Sequence, residues 1–146
     1  MRGVEARHPG LLCSVLLLDE SGTRLRHGAA PSLPDFYNQA VDGLVIGEGI
    51  GSCGTAAFTG QRVVVEDIAR HPFWQAYTEL TARAGLGACW SQPIRDAAGR
   101  VRGTFAIYHR HPATPGADEF ALIERYAGLA ALILQRARDD AEIDRS

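Results

Sequence analysis

Leu11 to Leu18, LLCSVLLL, is apolar on both alternating faces apart from Ser14. That pattern predicts a strand in the middle of a sheet, covered from both sides. The turn cluster Asp19-Glu20-Ser21-Gly22 should return the chain antiparallel, as a second strand over about Thr23 to Ala29. Ser32 and Pro34 mark a short helix over Asp35 to Val41. A glycine-rich stretch comes next, then a brief helix near Cys53 to Thr59 closed by Gly60, then a strand in RVVVEDI. ARHPFWQAYTELTARAGL predicts a loop followed by a helix from about Phe73 to Ala84, with Gly85 as its C′ residue. The clearest hairpin runs from strand Cys89–Arg95 through Asp96-Ala97-Ala98-Gly99 into strand Val101–His109. Pro93 cannot donate to a ladder, so it asks for an edge position or a bulge.

The last element is a long helix over about 115–143. Thr114-Pro115 offers an N-cap and an N1 proline, and Asp118 and Glu119 place negative charge near its N-terminus. Phe120, Ile123, Ala127, Ala130, Leu134 and Ala137 form one apolar stripe. Leu122, Tyr126, Leu129 and Ile133 form a second. One stripe suffices for a helix that covers its own core, so the second predicts a further apolar contact, most simply the same helix of a second copy. Beyond Arg136 the sequence RARDDAEIDRS turns polar, as if the helix left the domain body. About six strands, at least two antiparallel pairs and helices toward both ends define an α+β fold around a central antiparallel sheet.

At 146 residues the chain has the length of one domain, and 46% hydrophobic residues are enough for a core without staples. Fifteen basic and seventeen acidic residues are spread along it, for a net charge of −2. There is no basic stripe of the kind nucleic-acid binding shows. No apolar run approaches the roughly 20 residues of a membrane span, and MRGVEARHPG has no signal-peptide core, so a cytoplasmic protein is expected. Cys13, Cys53 and Cys89 are odd in number and widely spaced, with no C-x-x-C. That argues against a disulfide framework, suits a reducing compartment and gives no support to a zinc or thioredoxin-like site.

GIGSCG, Gly49 to Gly54, fits the G-x-G-x-x-G spacing of a dinucleotide cradle. Glu66 and Asp67 meet the spacing of the ribose-binding acid only loosely, and the remaining requirements fail. Upstream only Val45 and Ile46 could form a strand, and downstream Gly60 ends the helix after about two turns. The chain contains no lysine, so it has no Walker motif. The glycines are read as backbone residues that permit positive φ and close packing of a short helix onto the sheet.

Three phrases in combination carry a family resemblance. They are GLVIGEGIGSCGTAAFTGQRVVVEDIARHPFW, GLGACWSQPIRDAAGRVRGTFAIYHR and TPGADEFALIERYAGLAALIL. The chain resembles a GAF domain of the type found in bacterial multidomain signalling proteins, sensor kinases and cyclic-di-GMP enzymes among them. The likeness runs from about Leu11 to Leu134, and the residues before Leu11 look like the end of a truncated N-terminal helix. The resemblance implies a central antiparallel sheet with the terminal helices on one face and short helices and loops on the other. The second face often encloses a small-ligand pocket. It also implies homodimers through the terminal helices, with Leu122, Tyr126, Leu129 and Ile133 as the dimer face, and a fused or partner output domain.

Phe73, Trp74, Tyr77, Cys89, Trp90 and Ser91 are the candidate pocket residues, because aromatics in two elements that could meet can line an apolar cavity or fill a core. The ligand and any cofactor are left open. Cys53 and Cys89 do not match the family's bilin attachment motif, and the cyclic-nucleotide signature is missing along with its lysine. Redox or haem sensing would use an accessible Cys or His, for which His71, His109 and His111 are available. His109-Arg110-His111 places two imidazoles on one side of a strand end without a third ligand, so no metal site is expected. The expected function is a non-catalytic sensory module that relays a ligand- or partner-induced shift through its C-terminal helix. The enzymatic alternative implied by the family is free methionine-(R)-sulfoxide reduction with Cys53 and Cys89 as the thiols.

Overall fold

A computed structural model describes residues 12–30 and 32–145, with side chains as far as 136. Two antiparallel hairpins build most of the sheet: β1 (Leu12–Leu18) with β2 (Arg24–Ala29), and β5 (Ala88–Arg95) with β6 (Val101–His109). β1 and β6 pair antiparallel and join them. Two short strands, β3 (Leu44–Val45) and β4 (Val63–Val65), complete the edges, giving the order β3-β2-β1-β6-β5-β4. Between them lie α1 (Asp35–Val41), α2 (Gly51–Thr59), a 3₁₀ helix (Pro72–Tyr77) and α3 (Thr78–Ala84), and the chain continues into α4 (Ala117–Arg145). This is the α+β architecture that the apolar pattern predicts.

Strand alternation divides the core into two layers. Leu12, Leu16, Ala106, Tyr108 and Cys89 face one side, against Tyr37 and Val41 of α1, Cys53 and Ala57 of α2, and Trp74. Cys13, Phe105, Ile107, Trp90 and Ile94 face the other, against Ile123 and Ala127 of α4. β1 and β6 are covered on both faces, which explains why LLCSVLLL and GTFAIY read as nearly continuous apolar runs. Pro93 stands opposite Thr104 of β6, while β4 reaches only Cys89 to Ser91 on the outer side of β5. The proline therefore sits where β5 is locally an edge.

Two boundaries differ from the sequence expectation. The single helix expected over Phe73 to Ala84 is a 3₁₀ helix followed by α3. The His71 ring nitrogen Nδ1 accepts from the Phe73 N–H at 3.1 Å, Pro72 opens the turn, and Tyr77 leaves helical geometry at φ −120, ψ 14. With three residues per turn, Trp74 and Tyr77 fall on the same side.

The other difference is at α4, whose cap is Gly116 rather than Thr114. The Gly116 carbonyl accepts from Glu119 and Phe120 at 3.1 Å each, and its N–H donates to the Glu119 carboxylate at 3.4 Å, one half of a capping box. Thr114 Oγ1 is engaged elsewhere, donating to Glu66 Oε2 at 3.0 Å. The expected remnant of an N-terminal helix before Leu11, and Leu11 itself at the start of the first expected strand, lie outside the described residues. So do the side chains from position 137 on, which take in Ala137 of the first stripe and the polar tail beyond Arg136.

Candidate functional site

α2 is the element on which the site depends. Gly49 and Gly51 take φ +85 and +61, which turns the chain sharply into the helix. A Cβ on Gly54 would stand 2.8 Å from Ile50 Cβ, so the third glycine makes room for the approach loop. Gly60 closes the helix in the left-handed region, its N–H donating to Ala56 O. From Gly51 to Ala57 every residue is buried, and the helix lies flat on β5 and β6.

Beside α2 is a small apolar cavity of about 20 Å³, room for roughly one water molecule. Leu16 and Tyr108 of the sheet, Tyr37 and Val41 of α1, and Ile50 and Cys53 line one part of it. Leu44, Trp74, Tyr77 and Leu80 close the rest. Few polar atoms face this space, and those nearby are already engaged. The Tyr37 and Tyr108 hydroxyls share a hydrogen bond of 2.8 Å. The Trp74 indole N–H donates to Ser52 Oγ at 2.9 Å, and Ser52 Oγ donates to the Cys89 carbonyl at 3.3 Å.

The densest chemistry is under the N-terminal half of α2. Cys53 Sγ and Ser91 Oγ are hydrogen-bonded at 3.1 Å, and Cys89 Sγ is 3.8 Å from the same hydroxyl. The two thiols are themselves within hydrogen-bonding reach. That hydrogen bond from Cys89 is the largest influence on Cys53 and brings its thiol down to about 7 against the opposing effect of burial, with Ser91, Thr104 and Tyr108 also lowering it. Burial first, and then Cys53, push the Cys89 thiol well above the usual range. The pair titrates as a unit, and the first charge to form rests on Cys53. Two further buried hydroxyls on this face, Ser14 Oγ and Thr104 Oγ1, have no well-formed hydrogen bond.

The sequence-predicted pocket residues separate into two groups. Trp74 and Tyr77 line the cavity, and Cys89 and Ser91 stand on the same sheet face next to Cys53. Phe73 is half-buried at the edge of that core, its ring 4.6 Å from the His71 ring. Trp90 does not join them. Alternation along β5 turns it to the opposite face, where it packs beneath α4 with its ring 4.6 Å from that of His109. His109 Nε2 lies 3.4 Å from the Glu119 carboxylate, and among the described residues no cluster of three metal-ligating side chains occurs.

On α4 the first stripe is the core contact, through Ile123 and Ala127. The second stripe is split. Leu122 and Tyr126 are half-buried against the sheet, while Leu129 and Ile133 are 44% and 69% exposed, as is the neighbouring Leu132, outside the stripe, at 68%. Sequence reasoning missed Tyr37 and Tyr108 as cavity residues. Their signals were the i, i+4 pair Tyr37/Val41 and the alternation Thr104, Ala106, Tyr108, but neither tells which layer a face belongs to.

A curled antiparallel sheet with long-helix cover on one face and a small cavity under short helices on the other is the architecture that the resemblance implied, and the family model confirms the resemblance. Residues 5–135 match the GAF domain, and the chain belongs to that family. It is 40% identical over 134 residues, 92% of its length, to the methyl sulfide methyltransferase-associated sensor of Methanosarcina acetivorans. The chain spans only 13% of that relative.

Among solved structures, a domain assigned to a two-component sensor histidine kinase of Sinorhizobium meliloti superposes with a TM-score of 0.80 at 23% identity, covering 99% of this chain and 92% of that one. A type II free methionine-R-sulfoxide reductase from Thermoplasma acidophilum superposes at 0.70 with 17% identity, covering 92% and 86%. At such identities the likeness is one of fold. Among the described residues no helix is long and apolar enough to cross a membrane.

Proposed function

We propose that this GAF domain is a non-catalytic sensory module of a cytoplasmic signalling protein, with a small ligand or partner as input and α4 as output. The observation that carries this reading is that β5 and β6 serve both layers at once. Cys89 and Tyr108 belong to the cavity side, and their chain neighbours Trp90 and Ile107 form the platform under Ile123 and Ala127. A shift at the cavity therefore moves residues one peptide away from those that seat α4. The sensor name of the 40%-identical relative supports the same role.

The cavity holds about one water as it stands, so a larger occupant must displace Trp74 or Tyr77 from the 3₁₀ helix. A ligand that prefers the displaced arrangement shifts the population toward it, by no more than its differential affinity. The exposed Leu129, Leu132 and Ile133 would pair with the same face of a second copy, and the helix would continue toward a fused output domain. Native mass spectrometry of the purified protein, followed by hydrogen exchange with and without the retained molecule, tests the proposal. Altered protection in both 72–77 and α4 is expected. A ligand that changes the first without the second refutes the relay.

A second reading, thiol-dependent reduction of free methionine sulfoxide, is favoured by the contact between Cys53 and Cys89. Against it, both thiols are buried and the space beside Cys53 is far smaller than an amino acid. Turnover of methionine-R-sulfoxide with a thiol reductant, lost on replacing Cys53 or Cys89, would establish it.

A further inference from the structure

Ser91 stands between two thiols from different elements, Cys53 on α2 and Cys89 on β5, and the sensory reading makes no use of their sulfur chemistry. Cys53 also lines the one-water cavity, so its side chain borders a space that a molecule of about that size fits. The Cys89 thiol first, and then the Ser91, Thr104 and Tyr108 hydroxyls, favour a negative charge on the Cys53 sulfur. A thiolate is the nucleophilic form, and a second thiol within reach is what resolves an oxidised cysteine. Cys13, the third cysteine, is buried in the other layer with Trp90 and Phe105.

We infer that Cys53 and Cys89 form a redox-active dithiol, which a small hydroperoxide converts to a disulfide between α2 and β5. The Cys53 thiolate attacks the terminal oxygen of ROOH and the O–O bond breaks. The sulfur becomes a sulfenic acid, and the alkoxide leaves as ROH with the proton Cys53 gave up. Cys89 sulfur then attacks Cys53 sulfur and the S–O bond breaks. Hydroxide departs as water with the Cys89 proton. Two thiols are oxidised by two electrons in total, and the peroxide is reduced to ROH and water. For hydrogen peroxide the products are the disulfide and two waters. A bond there would pull α2 toward the strand that seats Trp90 under α4. Only this use as an input rests on the sensory reading.

The test uses the purified, reduced protein treated with hydrogen peroxide, then alkylated after denaturation and digested. Expected is a mass loss of about 2 Da per chain, one alkylated cysteine, Cys13, and a cross-linked peptide joining Cys53 to Cys89. Between pH 6 and 8 the rate should rise about tenfold as the thiolate of a group near 7 forms. Cys53→Ser and Cys89→Ser should each abolish the cross-link. The wild-type result stands by itself if either variant fails to fold. Three alkylated cysteines after peroxide, or a cross-link through Cys13, overturn the inference. Hydrogen exchange of α4 in the oxidised protein is a separate readout. A disulfide that leaves α4 unchanged keeps the dithiol and counts against the relay.

Discussion

The indole N–H of Trp74 donates to Ser52 Oγ at 2.9 Å, and this one bond fastens the 3₁₀ helix to the start of α2. Ser52 passes the connection on to the Cys89 carbonyl, so three elements distant in sequence meet at a single hydroxyl. Trp74 is also a wall of the cavity, and its ring is 6.4 Å from Tyr108 in an edge-on arrangement. It therefore acts as the plug of the space that an occupant would need.

Replacing Trp74 by alanine should cost about 3–5 kcal/mol, as large-to-small changes of buried aromatics do. The vacated volume should accept indole. Thermal unfolding with and without millimolar indole checks this, the variant gaining stability and the wild type showing no response. Equal responses would mean that the site collapses instead of opening.

The Tyr37 and Tyr108 hydroxyls, both buried and 2.8 Å apart, should behave as a coupled pair. Tyr37→Phe alone leaves a buried hydroxyl without its partner, a loss of about 1–3 kcal/mol. The double change to phenylalanine removes both polar groups, so it should cost clearly less than the two single losses added together. Urea unfolding of the four proteins measures the coupling, and simple additivity would refute it.

Stability should rise and then fall with pH. Cys53 is lowered from 9.0 to about 7, so between those values the unfolded chain holds a proton the folded one has released, and stability increases with pH. Burial pushes Cys89, Tyr37 and Tyr108 up from 9.0, 10.0 and 10.0. Above those ordinary values the unfolded chain loses protons that the folded one keeps, and stability decreases by about 1.4 kcal/mol per pH unit for each group. Denaturant midpoints from pH 6 to 11 record both limbs. A midpoint unchanged between pH 9 and 11 would contradict the buried-phenol argument.

On α4, Ile133→Glu should abolish self-association while changing stability by no more than about 0.5 kcal/mol, because the side chain is exposed. Leu122→Glu differs, since Leu122 is half-buried against the sheet and its replacement lowers the melting temperature as well. Light scattering and thermal unfolding of the two variants separate dimer contact from core contact. A wild-type protein that stays monomeric at high concentration removes the basis for both expectations.

Local chemistry made most of the elements legible. The run Leu12–Leu18, the turn at Asp19 to Gly22, the Asp96 to Gly99 hairpin and helix Asp35–Val41 each follow from periods and turn residues that act over a few positions. GIGSCG belongs here too, because positive φ at Gly49 and Gly51 is a property of the backbone itself. The α4 stripes predicted two apolar contacts, of which the structure places the first, through Ile123 and Ala127, against the sheet.

Tertiary structure alone decided which layer each strand face entered. Period two states that Cys89 and Trp90 point apart, but not that Cys89 meets Cys53 while Trp90 meets Ile123. That choice depends on which helix covers which face, a long-range packing outcome with no local signature. The same holds for Thr114, whose hydroxyl was claimed by Glu66 from 48 positions away in the chain, so that the cap moved to Gly116. The contact of two thiols around Ser91 is likewise a product of α2 lying flat on β5, which sequence spacing could not disclose.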